Sequence, residues 1–208
     1  AVSASDIALT ASTGTITFSG DTTATNGLTT TTSVTDLVFG ENLNIDTAAV
    51  LFNNTGALTL GVGGADVLTF DGGVTTTGVG GTVTLNGTVA SSNTQMDLGA
   101  ITLGSDVTLD TAGATMNVGA VSSAANRLAL DGGETGAVTV ASFAGDGDLT
   151  VTDSATTTFT GTVAADAITL TDSTTSVSFA DNVTASSLAT AAQGYSVSLT
   201  GASSTITN

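Results

Sequence analysis

The sequence predicts an all-β protein, a parallel β-solenoid with about 20 residues per coil and about ten coils. The first observation is an internal repeat, in which residues 148–165 (DLTVTDSATTTFTGTVAA) are followed by a similar stretch at 166–185 (DAITLTDSTTSVSFADNVTA). The second is that matching apolar residues recur at offsets of 19, 20 and 20: Val151 with Leu170, Phe159 with Phe179, and Val163 with Val183. The third is that Gly, Asp, Asn, Ser and Thr separate these short alternating segments, as expected of corners.

The most regular apolar pairs define a first face of the predicted coil. Residues i and i+2 of a strand point to the same side, so each pair marks one inward strand face. We place Ile16/Phe18, Leu37/Phe39, Leu58/Leu60, Val107/Leu109, Leu128/Leu130, Leu149/Val151 and Ile168/Leu170 on this face. The register blurs through 61–105, where GVGGADVLTFDGG and GVGGTVTLNG carry extra glycines and the coil length must vary.

Two further apolar columns share the same period. The second is Met116/Val118, Val138/Val140, Phe159, Val177/Phe179 and Val197/Leu199. The third is Val121, Phe143, Val163 and Val183. Three columns predict a prism with three short faces, in which each strand pairs with its counterparts one coil above and below at about 4.8 Å, giving a rod of about 50 Å.

An antiparallel sandwich is the alternative fold, because it also has strands at regular spacing. Against it, the repeat holds three strands, like residues recur at one whole period, and two-residue Asn-Gly or Asp-Gly hairpins are few. Ser186–Gln193 (SSLATAAQ) is the one stretch with any helical character, and we expect another coil there. We predict a single domain over 1–208, either a mature chain or a fragment of a longer one, because AVSASDIALT lacks the parts of a signal peptide.

Composition excludes several functional classes. The 208 residues include no Cys, His, Pro or Trp, so disulfides, Cys/His zinc sites and histidine triads are excluded. Eighteen acidic residues face a single base, Arg127, for a net charge of −17. Phosphate backbones and anionic membranes require basic patches, so no nucleic-acid binding is expected. The chain has no apolar run of about 18 residues, so no membrane insertion is expected. The Thr/Ser/Gly/Asp-rich composition favours an extracellular or cell-surface location.

The single base also serves as a register marker. Arg127 precedes one first-face pair, as Asp106 and Asp148 precede the pairs one coil before and after it. The three residues are therefore predicted to stack as an ion ladder, in which a guanidinium can fork to both carboxylates. Exposed pairs of this kind contribute only about 0–1 kcal/mol.

A second column is purely acidic and is a candidate calcium site. Asp110, Asp131, Asp153 and Asp172 follow the first-face pair in four coils. Carboxylates that are stacked this closely either turn into solvent or share cations, and calcium prefers such hard oxygen ligands. A further candidate is GVGGADVLTFDGG at 61–73, a near match to the nonapeptide of calcium-binding β-rolls with Asp66 and Asp71 as ligands. Solvated corners without a cofactor are the alternative.

Other chemistry has less support in the sequence. Solenoid polysaccharide hydrolases and lyases use clustered carboxylates, or Lys/Arg beside calcium, and the chain has no Lys and no second Arg, so no enzyme activity is expected. Runs of Thr-x-Thr at 15–17, 82–84 and 150–152 raise an ice-binding solenoid as an alternative, although Thr is also a good outward strand residue. Asn53, Asn86 and Asn182 head N-x-Thr triplets, which matter only in a glycosylating route.

The chain resembles the secreted Thr/Gly/Asp-rich β-solenoids of bacterial surfaces. The segments that carry the resemblance are LTVTDSATTTFTGTV (149–163), ALTLGVGG (57–64) and VTLDTAGATMNVGAV (107–121). They are similar to filamentous-haemagglutinin-like adhesins, autotransporter passengers and the solenoid portions of some S-layer proteins. The resemblance covers almost the whole chain and implies a right-handed parallel coil at the cell surface.

These observations predict a structural extracellular protein that assembles head to tail with itself into a filament, sheath, surface layer or biofilm matrix. The alternative is a stalk or receptor-binding segment of a larger adhesin, with cell-surface glycans or a host receptor as partners. Open solenoid ends expose unpaired strand groups, and contacts between such ends propagate rather than close. The residues predicted to mediate self-assembly are Ile7, Leu9, Ile16, Val197, Leu199 and Ile206.

Overall fold

The computed structural model describes all 208 residues and contains strands but no helix. In chain order the strands are β1 Val2–Leu9, β2 Ile16–Phe18, β3 Thr22–Thr30, β4 Leu37–Phe39, β5 Leu43–Ile45, β6 Val50–Leu51, β7 Leu58–Leu60, β8 Val67–Phe70, β9 Val74–Thr75, β10 Val83–Ala90, β11 Met96–Leu98, β12 Ile101–Asp110, β13 Met116–Ala124, β14 Leu128–Gly145, β15 Leu149–Phe159, β16 Val163–Leu170, β17 Ser176–Phe179, β18 Val183–Thr190, β19 Ser196–Leu199 and β20 Thr205–Ile206. The longer strands bend at corners, so one strand can contribute to two faces.

Every strand pairing is parallel and joins segments about one repeat apart. The result is a β-solenoid of about ten turns with about 21 residues per turn. The predicted fold class is therefore confirmed, and the antiparallel sandwich is excluded. Parallel stacking follows from the repeat itself, because equivalent residues one period apart can occupy equivalent positions only if the strands run in the same direction.

Each turn has three faces, which we number in the order in which the chain traverses them. Face I carries the column Leu109, Leu130 and Val151, and face II carries Met116, Val138 and Val177. Face III carries Val121, Phe143, Val163 and Val183. The bends between them are the I–II, II–III and III–I corners.

Inward side chains from all three faces form one continuous core of 40 buried residues. The alternation that defines the strands sends every second residue inward, so that β15 alternates between buried and part-exposed positions around Val151 and again around Phe159. Phe159 stacks directly on Phe179 with ring centroids 4.9 Å apart and an interplanar angle of 5°. All three predicted pairings of the internal repeat, including this one, are confirmed.

The predicted phase of the first half of the chain is wrong by one face. Leu58 pairs with Val83, Val83 pairs with Ile101, and Ile101 pairs with Val121, which lies on face III. The pairs Ile16/Phe18, Leu37/Phe39 and Leu58/Leu60 therefore lie on face III and not on the face of Leu128/Leu130. In these early turns face I is formed instead by Leu43/Ile45 and Leu68/Phe70.

The slip falls across the segment in which the turn lengths are unequal. Twenty-five residues separate Leu58 from its partner Val83, whereas only 18 separate Val83 from Ile101. The long turn holds the glycine-rich segment 61–66, in which Gly61 has a φ of +74°. Glycine adopts a left-handed backbone conformation at little cost. The extra residues of this corner can therefore be accommodated as a local loop, without disturbing the strands of the three faces.

The segment with some helical character, Ser186–Gln193, begins within β18 and continues the solenoid. The coil that was expected there is confirmed. The structure has no helix long and apolar enough to cross a membrane.

Candidate functional site

The acidic column lies along the I–II corner. Asp110 is in register with Asp131, and Asp131 is in register with Asp153 one turn further along. Asp172 lies at the same corner in the following turn, where the Thr174 N–H donates to the Ser154 carbonyl. The four residues thus occupy one corner in four successive turns, as the spacing predicts.

The carboxylates of this column differ in their hydrogen bonds. Asp110 Oδ1 accepts the Ala112 N–H at 2.8 Å, and Asp131 Oδ1 accepts the Gly133 N–H at 3.2 Å. Asp153 Oδ1 is buried and has no hydrogen-bond partner. A buried oxygen without a partner is costly, so Asp153 is the least well satisfied member of the column.

Burial raises the pKa of Asp131 above its ordinary value, and the neighbouring Asp110 and Asp153 carboxylates raise it further. The hydrogen bond from Gly133 acts in the opposite direction and does not outweigh them. A carboxyl pKa that is higher in the folded state means that the charged form is disfavoured by folding. The stability that this group supplies is complete below its unfolded pKa and is lost as pH rises through its folded pKa.

We therefore expect Asp131→Asn to raise the melting temperature at neutral pH, by an amount equivalent to no more than about 1 kcal/mol because the site is partly solvated. The amide oxygen can still accept the Gly133 N–H, so only the charge is removed. The gain should disappear in acid, where Asp131 is protonated in both states. Thermal melts of both proteins as a function of pH test this, and a difference that is independent of pH would contradict it.

A ladder of buried hydroxyl groups lies on the inner side of the same corner. Ser91, Thr111 and Ser173 each donate to the carbonyl three residues further along, those of Thr94, Ala114 and Ser176. Ser154 makes the equivalent contact with the Thr157 hydroxyl at 2.9 Å. Each hydroxyl satisfies a polar group that the bend would otherwise leave buried and unpaired.

Sequence reasoning missed this ladder, although a signal for it exists. Three of the corner acids are followed directly by a hydroxyl residue, in Asp110-Thr111, Asp153-Ser154 and Asp172-Ser173. The acid lies on the outer side of the corner and is part-buried, and the hydroxyl lies on the inner side, because successive residues alternate in direction. The acidic column is therefore one half of a corner motif that has a structural role whether or not a cation binds.

Asp66 and Asp71, the two ligands expected from the nonapeptide match, lie at opposite ends of β8. Asp66 is at the III–I corner, where its Oδ2 accepts the N–H groups of Val62 and Gly63 at 2.7 and 2.9 Å. Asp71 is at the I–II corner, and its Oδ1 accepts the Ser92 hydroxyl. The two carboxylates are held by local bonds and are not brought together.

The structure contains no group of three or more acidic, Cys or His side chains that is arranged to hold a metal ion. Within the acidic column, the unpaired oxygen of Asp153 beside Asp131 is the one feature that a shared cation would satisfy. Calcium takes six to eight oxygen ligands, so water and backbone carbonyls would have to supply most of its coordination shell. A calcium ion at Asp110, Asp131, Asp153 or Asp172 remains a prediction.

If a cation is shared in this column, millimolar calcium should raise the melting temperature relative to chelator, because a ligand that binds only the folded state stabilises it. The increase should be smaller in Asp153→Asn, which removes one charge beside Asp131. Asp36→Asn, a substitution at the II–III corner, is the matched control and should retain the full response. Identical melts in calcium and chelator would indicate solvated corners.

The ion ladder lies on the III–I corner, with its three members in successive turns. Val107 N–H donates to the Arg127 carbonyl and Leu128 N–H to that of Asp148, which places Asp106, Arg127 and Asp148 at equivalent positions. The guanidinium Nε lies 4.0 Å from Asp106 Oδ2, and this is the one ion pair of the structure. Asp148 instead accepts the Ala167 N–H, so Arg127 does not bridge both carboxylates.

Around Arg127 is an open crevice of about 450 Å³ lined by Asp106, Ala125, Arg127, Asp146, Asp148 and Asp166. The side chains of Arg127 and Asp106 are 44% and 61% exposed. Water screens a pair this exposed, so we expect Arg127→Ala to change the free energy of unfolding by less than about 1 kcal/mol. Chemical denaturation measures this, and a larger loss would show that the guanidinium has a structural role beyond the ion pair.

The acidic residues are concentrated on the two corners that flank face I. Seven are at the III–I corner: Asp21, Glu41, Asp66, Asp106, Asp146, Asp148 and Asp166. Eight are at the I–II corner: Asp6, Asp46, Asp71, Asp110, Asp131, Glu134, Asp153 and Asp172. The outward threonines between them, including Thr108, Thr150 and Thr169, are interrupted by Val67 and Ala129, so face I does not carry an unbroken threonine column.

The largest concavity is a shallow groove of about 590 Å³ on the outer side of face III. Its lining includes Thr82, Ala100, Thr102, Ala120, Ser122 and Ala144, and no charged residue. Its Ser and Thr hydroxyls have no acidic or basic side chain beside them within the groove lining.

At the two ends of the rod, the residues predicted to mediate self-assembly have a neighbouring turn on one side only. Ile7, Leu9 and Ile16 in the first turn are half-buried, although their equivalents in inner turns are fully buried. In the last turn Val197 and Ile206 are half-buried and Leu199 is 37% exposed. All six residues belong to columns whose side chains point into the core. Their exposed surface is therefore at the two ends of the rod and not on its sides.

The fold and these corners define the chain as a parallel β-solenoid with acidic corners around a continuous apolar core. No protein-family model matches it. Comparisons with curated proteins and with solved structures likewise gave no match.

Proposed function

We propose that this chain is a structural extracellular protein that stacks head to tail on copies of itself into a filament, sheath, surface layer or biofilm matrix. The observation that carries the proposal is the match between the two ends of the rod. The first turn offers its strands in the order face I, II, III, in the two halves of β1 and in β2. The last turn offers the same order in the second half of β18, in β19 and in β20.

The apolar residues at these ends are also matched by face. On face II, Ile7 and Leu9 begin the apolar stack in the first turn, and Val197 and Leu199 end it in the last turn. On face III, Ile16 heads the column that runs to Val183, and Ile206 pairs with Ala185, two residues further along the same face. Docking the first turn of one copy on the last turn of another would complete the burial of these side chains, and burial of apolar surface is the main favourable term in association.

The backbone of β19 supplies hydrogen-bonding groups for such a contact. Ser196 N–H and Thr200 N–H donate back to the preceding turn, to the carbonyls of Thr175 and Phe179. Polar groups alternate in direction along a parallel strand, so those of Val197 and Leu199 point to the open side. An unpaired strand edge of this kind is a template for another strand.

The charge distribution favours end-to-end over sideways association. Fifteen of the 18 acidic residues line the two corners beside face I, and the last-turn strands β19 and β20 carry none. Like charges along the sides of the rod would keep copies from bundling laterally. End-to-end contact is heterologous, so it propagates into a fibre and does not close into a dimer.

The alternative function is a stalk or receptor-binding segment of a larger adhesin, with a cell-surface glycan or a host receptor as its partner. The same strand edges would then continue into further turns of a longer chain. The resemblance to bacterial surface solenoids supports an extracellular location for both candidates and does not separate them.

Assembly of the purified chain separates the two candidates. We expect unbranched fibres by electron microscopy, with a strand spacing of about 4.8 Å along the fibre axis and one copy per about 50 Å. Light scattering should show growth with concentration. A chain that stays monomeric at high concentration, both in calcium and in chelator, would contradict the filament proposal and favour the adhesin segment.

A further inference from the structure

Two asparagines in the chain are followed by glycine, and the structure places them in opposite environments. They are Asn26-Gly27 and Asn86-Gly87. An Asn-Gly bond is chemically labile because the glycine N–H can attack the side-chain amide carbon without interference from a side chain of its own. The sequence alone makes the two sites equivalent.

Asn26 lies in a β-bulge at the I–II corner and is exposed to solvent. Ala4 pairs with Ala24 but Asp6 pairs with Gly27, so Thr25 and Asn26 together face the single residue Ser5. A bulged residue lies outside the regular ladder and has a locally disrupted backbone. Asn26 Nδ2 donates to Ser5 Oγ at 2.8 Å and approaches Asp6 Oδ2 at 3.4 Å, both on the outer surface of the rod.

Asn86, by contrast, is only 5% exposed and is held from both sides. Its Nδ2 donates to the Gly61 carbonyl at 2.8 Å, and its side-chain amide packs directly on Gly104, where an added Cβ would lie 2.5 Å from Oδ1. The attacking group is also restrained, because the Gly87 N–H donates to Ser105 Oγ at 3.3 Å. Reaction at Asn86 therefore requires local opening of the turn.

We propose that Asn26 is a site of spontaneous deamidation in the folded protein and that Asn86 is protected. The Gly27 nitrogen bonds to the Asn26 side-chain carbonyl carbon, its proton is lost, and the amide nitrogen leaves as ammonia, which forms a five-membered succinimide. Water then adds to either carbonyl of the ring and opens it to aspartate or isoaspartate. The net change replaces one amide with one carboxylate and needs only water.

The product adds a carboxylate beside Asp6. The donor that Asn26 offers to Ser5 is lost, and an oxygen anion faces Asp6 Oδ2 instead, so the contact between the first two turns changes from attractive to repulsive. The isoaspartate form also lengthens the main chain within β3, next to its pairing with β1. The modification should therefore loosen β1 in particular, which affects fibre growth only if the proposed head-to-tail assembly is correct.

The test is peptide mapping by mass spectrometry after incubation of the folded chain in mildly alkaline buffer. Conversion at Asn26 should exceed conversion at Asn86 by at least about tenfold, because Asn86 reacts only from an open state. In concentrated urea the two sites should convert at similar rates. Equal rates in the folded chain, or no reaction at Asn26 while it reacts in urea, would overturn the proposal.

Two variants separate the chemistry from its consequence. Gly27→Ala should slow conversion at Asn26 and leave Asn86 unchanged, although its Cβ would lie 3.0 Å from that of Ala48 and its fold must be checked by melting. Asn26→Asp mimics the product and should speed amide hydrogen exchange in β1 but not in β15. Normal exchange in β1 would show that the carboxylate at position 26 leaves the first turn intact. Conversion at Asn26 can be compared between variants without assembly, and exchange in β1 is measured at a concentration at which the chain is monomeric.

Discussion

Replacing Phe159 with alanine should lower the free energy of unfolding by about 3–5 kcal/mol, the largest effect that we expect of any single substitution. The ring is fully buried and stacks on Phe179 at a centroid distance of 4.9 Å, so its removal exposes the facing ring to a cavity. The turns above and below are held by their own hydrogen bonds and cannot collapse into this space. Chemical denaturation measures the loss.

The adjacent Thr158→Ala is the matched control. Thr158 lies on the same strand, one residue away, with its side chain outward and part-exposed. Surface substitutions of this kind usually change stability by no more than about 0.5 kcal/mol. Equal losses in the two variants would show that the stacked rings contribute nothing specific.

The double variant Phe159→Ala/Phe179→Ala should lose less stability than the sum of the two single losses, because each ring is part of the cavity wall of the other.

The second large effect concerns assembly. Val197→Pro should abolish or strongly reduce fibre growth while the inner turns stay folded. Proline has no N–H and cannot extend a β-ladder, and the Val197 N–H is one of the groups that point to the open side of the last turn. The bonds by which Ser196 and Thr200 tie this end of the chain to the preceding turn use other donors.

Val197→Thr is the control for this prediction, because it keeps the N–H and the β-branched shape that suits a strand. Fibre growth of both variants can be followed by light scattering, with circular dichroism to confirm that each is folded. Growth of Val197→Pro at the wild-type rate would show that this edge takes no part in assembly. If Val197→Pro does not fold, the last turn is needed for the solenoid itself. The test is then to add an excess of a peptide spanning residues 1–18 to the wild-type chain, which should cap the open edge of the last turn and stop fibre growth.

The sequence by itself determined the fold class, the turn length and much of the register. Side-chain alternation is a local property, and parallel in-register stacking copies it from one turn to the next, so the pairs Val151/Leu170 and Phe159/Phe179 could be predicted without coordinates. The same logic placed Asp110, Asp131 and Asp153 at one corner.

Only the tertiary structure decided the phase of the first half of the chain. The faces follow a period of two residues, but a corner has no period, and its length depends on which backbone conformations its glycines permit. The 25-residue step from Leu58 to Val83 and the 18-residue step that follows nearly cancel. Three steps of 21 residues from Leu58 therefore still reach Val121 on face III. The alignment of Leu58/Leu60 with Val107/Leu109 spans 49 residues, which is not a whole number of turns, so it joins two different faces.

The chemistry of individual side chains also depended on the third dimension. The pKa of Asp131 is raised because burial acts on it together with the charges of Asp110 and Asp153 from the two neighbouring turns. Asn26 and Asn86 have the same neighbour in sequence, yet only Asn86 is enclosed, by Gly61 and Gly104 from the turns on either side. Desolvation and packing are set by residues a whole turn away, which local sequence does not specify.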